Sequence, residues 1–323
     1  MQEVSQIFWC CPRCHQQLSQ GDMDCLTCAK CAQAFPIYDG IPDFIVNGHS
    51  DFYETKGEQY HCPKIVPSRR LKTRIAIFFG DDDFSTTFSF LKRMMHKPGV
   101  ILDAGCGGGN MFYASLGPTI GIDLAFSSLR RAKSIYTSVA RASLEALPLP
   151  DNAFDYVVST DVLEHLAPTI KDQSLAEMMR VLKPGGRMVH VFPVDSHHPL
   201  MQWAKRFPQL YQKYFIDLDG HDGLETARDV LKRFCQWRCK IIQVSILKGF
   251  VWSKWEVIKR FDNEYRQTAK WLDRLVRVAK FLGGNRWINH GVNPVLWALD
   301  RLLTAYFGLD HAYRVGVCLE KSW

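Results

Sequence analysis

A glycine-rich turn between an apolar segment and a helix-like segment constrains the fold of this chain more than any other feature. Residues 100–109 read VILDAGCGGG, a short apolar run followed by an aspartate and a turn with four glycines. Apolar and small residues resume at 111–114, as at the start of a helix. Such an apolar run is typical of a buried parallel strand, and glycines let the backbone approach a ligand closely because they lack Cβ. The pattern predicts an α/β fold with a ligand at this turn.

The same alternation of strand, turn and helix continues along the chain. Residues 119–123 (TIGID) and 154–158 (FDYVV) are short apolar strands, and a helix ending near Lys183 leads through Pro184-Gly185-Gly186 into a fifth strand at 187–192. Residues 238–247 and 312–321 have strand character as well. Strands that alternate with helices favour a parallel sheet covered by helices.

The order of these segments resembles a known family. An apolar strand followed by Asp-Ala-Gly-Cys-Gly-Gly-Gly resembles motif I of the class I S-adenosylmethionine (SAM)-dependent methyltransferases, and three further landmarks follow at the family's spacing over residues 98–193. The alternative, a dinucleotide dehydrogenase, would require that motif I and the three further landmarks all match this family by chance. The resemblance, to the type 11 group, implies a Rossmann-like sheet of seven strands with strand 7 antiparallel, SAM as cofactor and methyl transfer as the reaction.

The resemblance also implies which side chains hold SAM. A carboxylate at the end of the second strand, Asp123, would bind both ribose hydroxyls. Ser143 stands where the family often has an aspartate bonded to the adenine amino group, and a serine accepts such a bond more weakly. The residues predicted to bind SAM are Asp103, Gly105, Gly107, Asp123, Leu124, Ser143, Leu144 and Thr160.

Candidate catalytic residues follow the predicted strand at 154–158. Methyl transfer from SAM needs alignment of two partners and a general base only where the acceptor must lose a proton. Asp161 and His165 are candidates for that base, while His165 is also consistent with a structural histidine at the start of a helix. Ser159-Thr160-Asp161 replaces the (D/N)PPY signature of this position, which argues against methylation of DNA base amino groups.

Six of the eleven cysteines lie within residues 10–31. Cys11 and Cys14 form one CxxC pair, and Cys28 and Cys31 form a second pair, with thirteen residues between the two pairs. Four thiolates at this spacing are typical of a structural zinc site without an open coordination position. Cys25 competes for the second pair because it also has CxxC spacing to Cys28. The alternative is a set of reduced, metal-free thiols, with redox activity as one role for them.

The segment after the cysteines resembles the zinc ribbons that accompany bacterial methyltransferases. In those ribbons a CxxC precedes an apolar-Pro-Ile-x-Asp-Gly-Ile-Pro hairpin, and residues 35–42 read FPIYDGIP. The Asp-Gly step is itself a hairpin signal. We therefore predict a zinc ribbon at 1–48, a helical cap at 49–97, a SAM-binding domain at 98–247 and 311–323, and a helical insertion at 248–310.

Charge is concentrated in the insertion. The chain has a formal charge of +7, and residues 248–286 contain ten basic and four acidic residues. Two amphipathic helices are predicted at 268–282 and 293–307, the second capped by Asn293 with Pro294 in its first turn. The insertion is either a helical lid or a basic amphipathic surface that contacts anionic lipid or admits a greasy substrate.

These features favour some functions over others. The N-terminus does not resemble a signal peptide, and no apolar run reaches the ~18 residues of a membrane span. We therefore expect a cytoplasmic protein, or at most one that is peripheral to a membrane. A small-molecule or lipid-like acceptor is the first hypothesis. An RNA or protein methyltransferase that docks its substrate through the ribbon is the second, although only Arg13 and Lys30 are basic within 1–45 and nucleic-acid binding needs more. An inactive relative is the third.

Overall fold

The computed structural model describes residues 8–21, 24–45, 54, 83–249, 254–284 and 286–323. The N-terminal part is a small antiparallel sheet with strand order β1-β2-β3-β4. Its strands are β1 (Ser19–Gln20), β2 (Cys25–Thr27), β3 (Ala34–Tyr38) and β4 (Ile41–Pro42). Asp39 and Gly40 join β3 to β4 with φ angles of 52° and 67°, so the hairpin turn predicted from the Asp-Gly step is present.

A seven-stranded sheet forms the main domain, with strand order β10-β11-β9-β8-β5-β6-β7. The strands are β5 (Ile101–Ala104), β6 (Thr119–Asp123), β7 (Ser138–Arg141), β8 (Phe154–Thr160), β9 (Leu182–Pro193), β10 (Cys239–Lys248) and β11 (Arg314–Lys321). Strands β5 to β9 pair in parallel. β11 pairs antiparallel with β9 and with β10. This is the predicted α/β, Rossmann-like methyltransferase sheet.

Helices cover the sheet and form the insertion. Those of the main domain are α1 (Asp83–Met94), α2 (Met111–Leu116), α3 (Phe126–Ala132), α4 (Pro168–Val181), α5 (Pro199–Ala204), α6 (Pro208–Tyr211) and α7 (Ala227–Cys235). A π-helical turn, Gln212–Asp217, follows α6 directly. The insertion has α8 (Lys254–Phe261), α9 (Lys270–Gly284) and α10 (Arg286–Phe307), with 3₁₀ turns at Glu264–Gln267 and Gly308–His311. None of the helices in the described part of the chain is long and apolar enough to cross a membrane.

Most of the predicted helical cap at 49–97 lies outside the described residues, apart from α1 and Glu54. Glu54 explains why α3 begins at Phe126. Its carboxylate accepts from the backbone N–H of Phe126 (2.7 Å) and of Ser127 (3.4 Å). These are first-turn donors without intrahelical partners. Ser127 and Ser128 lie inside the helix, and Glu54 satisfies these first-turn donors from outside it.

Two predicted boundaries also shift. The α10 helix begins at Arg286 and not at an Asn293 cap, because each added residue brings another helical hydrogen bond and the preceding segment extends the helix past the local signal. Pro294 is therefore an interior residue of α10. The fifth strand begins at Leu182 and includes the Pro184-Gly185-Gly186 turn, where its pairing with β8 shifts register.

Helix α9 packs through a different face from the one with Trp271 and Val278. Leu272 and Val276 are fully buried, together with Phe261 and Tyr265, in a cluster separate from the sheet. Trp271 and Val278 are about half exposed, at 47% and 53%. Since Phe261 and Tyr265 precede α9 in the chain and fill this cluster, they determine which side of the helix is covered. Trp271 and Val278 therefore remain on the surface of the insertion.

The ribbon and the sheet share one hydrophobic core. Phe35 and Phe44 of the ribbon are buried in the same cluster as Leu144 and Leu147 of the main domain. The backbone N–H of Cys10 donates to the Pro148 carbonyl (2.9 Å). The ribbon is therefore packed against the edge of the sheet that carries β7.

Candidate functional site

The glycine turn after β5 has a conformation and a contact that both require glycine. Gly105 and Gly107 have φ angles of 76° and 49°, in the left-handed region that favours glycine. A Cβ on Gly105 would lie 2.4 Å from Cγ2 of Val162. The N–H groups of Gly105 and Cys106 donate to the Ile122 carbonyl at 2.8 and 3.0 Å, which holds the turn against β6.

Asp123 lies at the end of β6 and accepts from the turn. Its Oδ2 accepts from the backbone N–H of Gly107 (2.8 Å), and its Oδ1 accepts from that of Ala125 (2.9 Å). Burial raises the pKa of Asp123, and these N–H donors oppose the rise. A carboxylate has about four acceptor positions, so the bonds to Gly107 and Ala125 do not use its whole acceptor capacity. The remaining capacity fits a pair of ribose hydroxyls.

Asp103 is buried beneath the same turn and has an aromatic partner. Tyr136 Oη donates to Asp103 Oδ2 at 2.6 Å and accepts from the backbone N–H of Asn110 at 2.6 Å. Burial raises the pKa of Asp103 to about 7, although the Tyr136 hydrogen bond lowers it. Sequence reasoning missed Tyr136, because it stands 33 residues from Asp103 in the chain and belongs to no local motif.

The remaining predicted SAM ligands lie on the neighbouring strand ends. Leu144 is buried. Ser143 Oγ donates to Glu145 Oε2 (3.1 Å) and accepts from the Glu145 N–H (3.3 Å). Thr160 at the end of β8 is 3.2 Å from Tyr113 Oη. Leu124 is half-buried, and its carbonyl accepts from Arg141 Nε (2.8 Å).

The two candidate bases occupy different environments. Asp161 has a left-handed backbone (φ 57°) and accepts from Arg314 Nη2 of β11 at 2.7 Å. His165 has its Nδ1 2.8 Å from the Gly220 carbonyl and its Nε2 3.9 Å from Glu164 Oε1. Burial raises the pKa of Glu164 well above its usual value. The base role of Asp161 and His165 remains a prediction.

A cavity of about 370 Å³ opens beside this turn. His221 lines it and also lies against His165, with ring centroids 5.2 Å apart. Other lining residues include Asp195, Lys205 and Tyr211. The cavity is bounded by the segment that follows β9, near the carboxyl ends of the strands where open α/β sheets bind ligands.

The four predicted zinc ligands come together in the ribbon. The Sγ atoms of Cys11, Cys14, Cys28 and Cys31 all lie within 4.8 Å of one another, and those of Cys14 and Cys28 are 3.6 Å apart. Four sulfurs at ~2.3 Å from one zinc ion are about 3.8 Å apart in a tetrahedron, so this donor set fits zinc. Cys25 is not part of the cluster.

The two CxxC turns have matching backbones. The N–H of Cys11 donates to the Gln16 carbonyl (2.8 Å), and that of Cys28 donates to the Gln33 carbonyl (2.9 Å). The residue after each second cysteine, His15 or Ala32, has φ near 55°. This equivalence supports the pairing of Cys28 with Cys31.

Comparison with known proteins places the central region in a family. Residues 102–190 match the type 11 family described as "Methyltransferase domain". A probable methyltransferase of Aspergillus luteorubrus is 36% identical over 128 residues, which cover 34% of this chain and 45% of that protein. The ubiquinone/menaquinone biosynthesis C-methyltransferase UbiE of Burkholderia mallei is 35% identical over 158 residues, 43% of this chain and 64% of that protein. The chain thus spans less than two thirds of the length of these relatives.

Solved structures of similar fold are more distant in sequence. A phosphoethanolamine N-methyltransferase 2 of Haemonchus contortus, in complex with S-adenosyl-L-methionine, is 18% identical with a TM-score of 0.48 over 90% of this chain and 62% of that one. A putative methyltransferase of Bacillus halodurans is 16% identical with a TM-score of 0.46 over 76% of this chain and 100% of that one. The family match, together with the strand order found here, means that the chain carries a type 11 methyltransferase domain with the class I fold of SAM-dependent methyltransferases.

Proposed function

We propose that this protein transfers a methyl group from SAM to a small-molecule or lipid-like acceptor. The observation that carries the proposal is the coincidence of the family match at 102–190 with the glycine turn and Asp123. When bound, SAM supplies an electrophilic methyl group on a positively charged sulfonium. A Cβ at Gly105 would clash with Val162, so the turn can run this close to the strand end only with glycine at that position.

Each predicted ligand has a role in the proposed SAM site. The remaining acceptor positions of Asp123 would hold the ribose hydroxyls, while its existing bond to the Gly107 N–H keeps the turn in place. Asp103 contributes negative charge near a cationic cofactor, and Tyr136 holds its carboxylate in position. Gly107, which has no Cβ, would leave room for the methionine moiety. These roles agree with the usual division of the class I fold, in which the first two strands bind the nucleoside.

The lipid-like nature of the acceptor is supported by the surface of the insertion. Large apolar side chains are exposed on α9 and α10, among them Phe281 (68%), Val295 (66%), Leu302 (71%) and Tyr306 (84%). Apolar surface of this kind is typical of membrane or partner contacts. One relative is named for ubiquinone and menaquinone biosynthesis. We therefore propose peripheral membrane contact through α9 and α10.

Charge contributes less to this contact than the sequence suggests. Arg277 pairs with Asp273 (2.7 Å), and Lys280 pairs with Asp262 (2.6 Å). These intramolecular pairs neutralise part of the excess positive charge of the insertion. The attraction to a membrane is therefore proposed to be mainly hydrophobic, with a smaller electrostatic part.

Methyl transfer to an extract tests the proposal. The protein is incubated with methyl-labelled SAM and a cell extract, and the label is measured in the organic, aqueous small-molecule, RNA and protein fractions. Label is expected in the organic fraction or in the aqueous small-molecule fraction. If the Asp123→Ala variant no longer produces this label, the reaction is assigned to this site. Label confined to RNA or protein would favour the docking role of the ribbon, and no label in any fraction would contradict the proposed activity.

A further inference from the structure

Three side chains from two distant segments converge beside the cavity. Glu164 and His165 belong to the turn after β8, and His221 follows the π-helical turn Gln212–Asp217. One carboxylate oxygen and one ring nitrogen of each histidine all lie within 4.8 Å of one another. The convergence was not predictable from sequence because 56 positions separate His165 from His221.

The orientation of His165 is that of a metal ligand. Its Nδ1 lies 2.8 Å from the Gly220 carbonyl. A carbonyl only accepts, so Nδ1 carries the proton and donates it, and Nε2 presents its lone pair. Nε2 is directed to the Glu164 side, 3.9 Å from Oε1. In metal sites, a ligating histidine usually donates its other ring N–H to a carbonyl or carboxylate in this way.

One carboxylate oxygen of the buried Glu164 lacks a hydrogen-bond partner among the described residues. Glu164 is only 2% exposed, and this oxygen is Oε2. A buried carboxylate without a partner is costly, and buried charges are normally paired or coordinate metals. A cation between Glu164 and the two histidines would supply the missing partner.

The backbone holds the three ligands together without a metal. The Gly223 N–H donates to the Glu164 carbonyl at 2.7 Å, and a Cβ on Gly223 would lie 1.8 Å from the Leu166 carbonyl oxygen. The buried ammonium of Lys171 donates to the Gly223 carbonyl and to Glu225, at 2.6 Å each. The segment that carries His221 is therefore fastened to the turn that carries Glu164 and His165.

We propose that Glu164, His165 and His221 bind a divalent transition-metal cation beside the cavity. Two imidazoles and one carboxylate suit first-row metals such as Zn²⁺, Co²⁺ or Fe²⁺. Three protein ligands leave coordination positions open, and His221 also lines the cavity. This binding does not depend on methyl transfer. The further role, in which an acceptor oxygen completes the coordination, rests on the proposed function.

Cobalt titration tests the site separately from the ribbon. Protein with zinc already bound to its thiols is titrated with Co²⁺ alone, and visible absorption is recorded together with calorimetric stoichiometry. One equivalent of Co²⁺ is expected, with d–d bands but without a thiolate charge-transfer band, because the donors are nitrogen and oxygen. Zero equivalents, or a spectrum with thiolate charge transfer, would overturn the proposal.

Matched variants locate the bound cobalt. His221→Ala and Glu164→Gln should each weaken Co²⁺ binding more than about ten-fold. Changes to residues that only contact a metal ligand already weaken metal binding by about 10- to 100-fold, and loss of a ligand itself should cost at least as much. His197→Ala removes an exposed histidine outside the cluster and should leave binding unchanged. Equal Co²⁺ affinity in the wild type, His221→Ala and Glu164→Gln would also overturn the proposed metal site. SAM binding is measured on the same samples, so a folding defect or a failure of the proposed function is recognised independently.

Discussion

Arg141 and Asp43 form a buried ion pair across the boundary between the ribbon and the main sheet. Their Nη1 and Oδ2 atoms are 3.2 Å apart, and the two side chains are only 4% and 9% exposed. Arg141 also donates through Nε to the carbonyl of Leu124, one of the residues predicted to bind SAM. One guanidinium group therefore contacts both the ribbon and the proposed SAM site.

Breaking this pair should destabilise the protein and weaken SAM binding. Asp43→Asn leaves the Arg141 charge buried without its counter-ion, and removal of one partner of a buried pair typically costs about 3–5 kcal/mol. Denaturant unfolding measures this loss. Asp39→Asn is the matched control, since the pair of Asp39 with Arg130 is mostly exposed and such pairs contribute less than about 1 kcal/mol. Equal unfolding free energies for the two variants would contradict the role of Asp43.

The ribbon should hold one zinc ion through its four clustered thiolates. Titration of the thiols with a mercurial should release one zinc for every four ribbon thiols modified. Cys31→Ser should lose this zinc and lower the melting temperature, because the metal replaces a hydrophobic core that so small a segment lacks. Cys25→Ser should retain it, since Cys25 lies outside the cluster. The opposite result for the two variants would assign the site to Cys25.

Protonation of Asp103 should make stability and SAM affinity depend on pH in opposite directions. Its pKa of about 7 in the folded protein exceeds the value near 3.9 expected when unfolded, so the native state binds more protons between about pH 4 and 7. The contribution of Asp103 to the free energy of unfolding is therefore largest below pH 4 and decreases as the pH rises to 7. The cationic cofactor favours the ionised carboxylate, so SAM affinity should rise over the upper part of the same range.

Asp103→Asn provides the comparison for both effects. The unfolding free energy of the wild type should decrease between pH 4 and 7 because Asp103 ionises. The variant has no carboxyl at this position, so its unfolding free energy should not show this decrease. Calorimetry at pH 5.5 and 7 should show a smaller change in SAM affinity than in the wild type. If wild type and variant have parallel pH profiles in both measurements, Asp103 is ionised in the free protein.

Membrane contact should depend on the exposed apolar side chains of α9 and α10. The protein should sediment with anionic vesicles at low salt, and the double change Phe281→Ser with Leu302→Ser should remove most of that binding. Replacement of Arg274, Arg277 and Lys280 by glutamate should weaken only the salt-sensitive part, which is screened within about 10 Å at 0.1 M salt. Absence of wild-type sedimentation would refute the proposed contact.

Sequence alone predicted the parts of the site that depend on local pattern. The positions of Gly105, Gly107 and Asp123 follow from a contiguous strand-turn-helix motif, and their hydrogen bonds in the structure agree with it. The Cys11, Cys14, Cys28 and Cys31 cluster was predictable for the same reason, because each CxxC turn fixes two sulfurs locally. The hairpin turn at Asp39-Gly40 needed only its own backbone preference.

Contacts between distant segments were not predictable. Tyr136 meets Asp103, and Gly220 meets His165 across 55 positions, only because the sheet brings their strands and loops together. The face of α9 that became buried also depended on its tertiary neighbours, since Leu272 faces Phe261 and Tyr265 while Trp271 does not enter that core. Helical periodicity in the sequence shows which faces of a helix are apolar. Contacts with the neighbouring segments determine which of these faces is buried.

Calorimetric titration of SAM into wild type and Asp123→Ala tests the central claim most directly. The wild type should bind one SAM per chain, and the variant should bind it more weakly by about 1–3 kcal/mol, the scale of lost charge-assisted hydrogen bonds. Asp24→Ala, which removes an exposed carboxylate of the ribbon, should match the wild type. An undetectable heat of binding in the wild type, or equal affinity in wild type and Asp123→Ala, would contradict the assignment of a SAM site to the ends of β5 and β6.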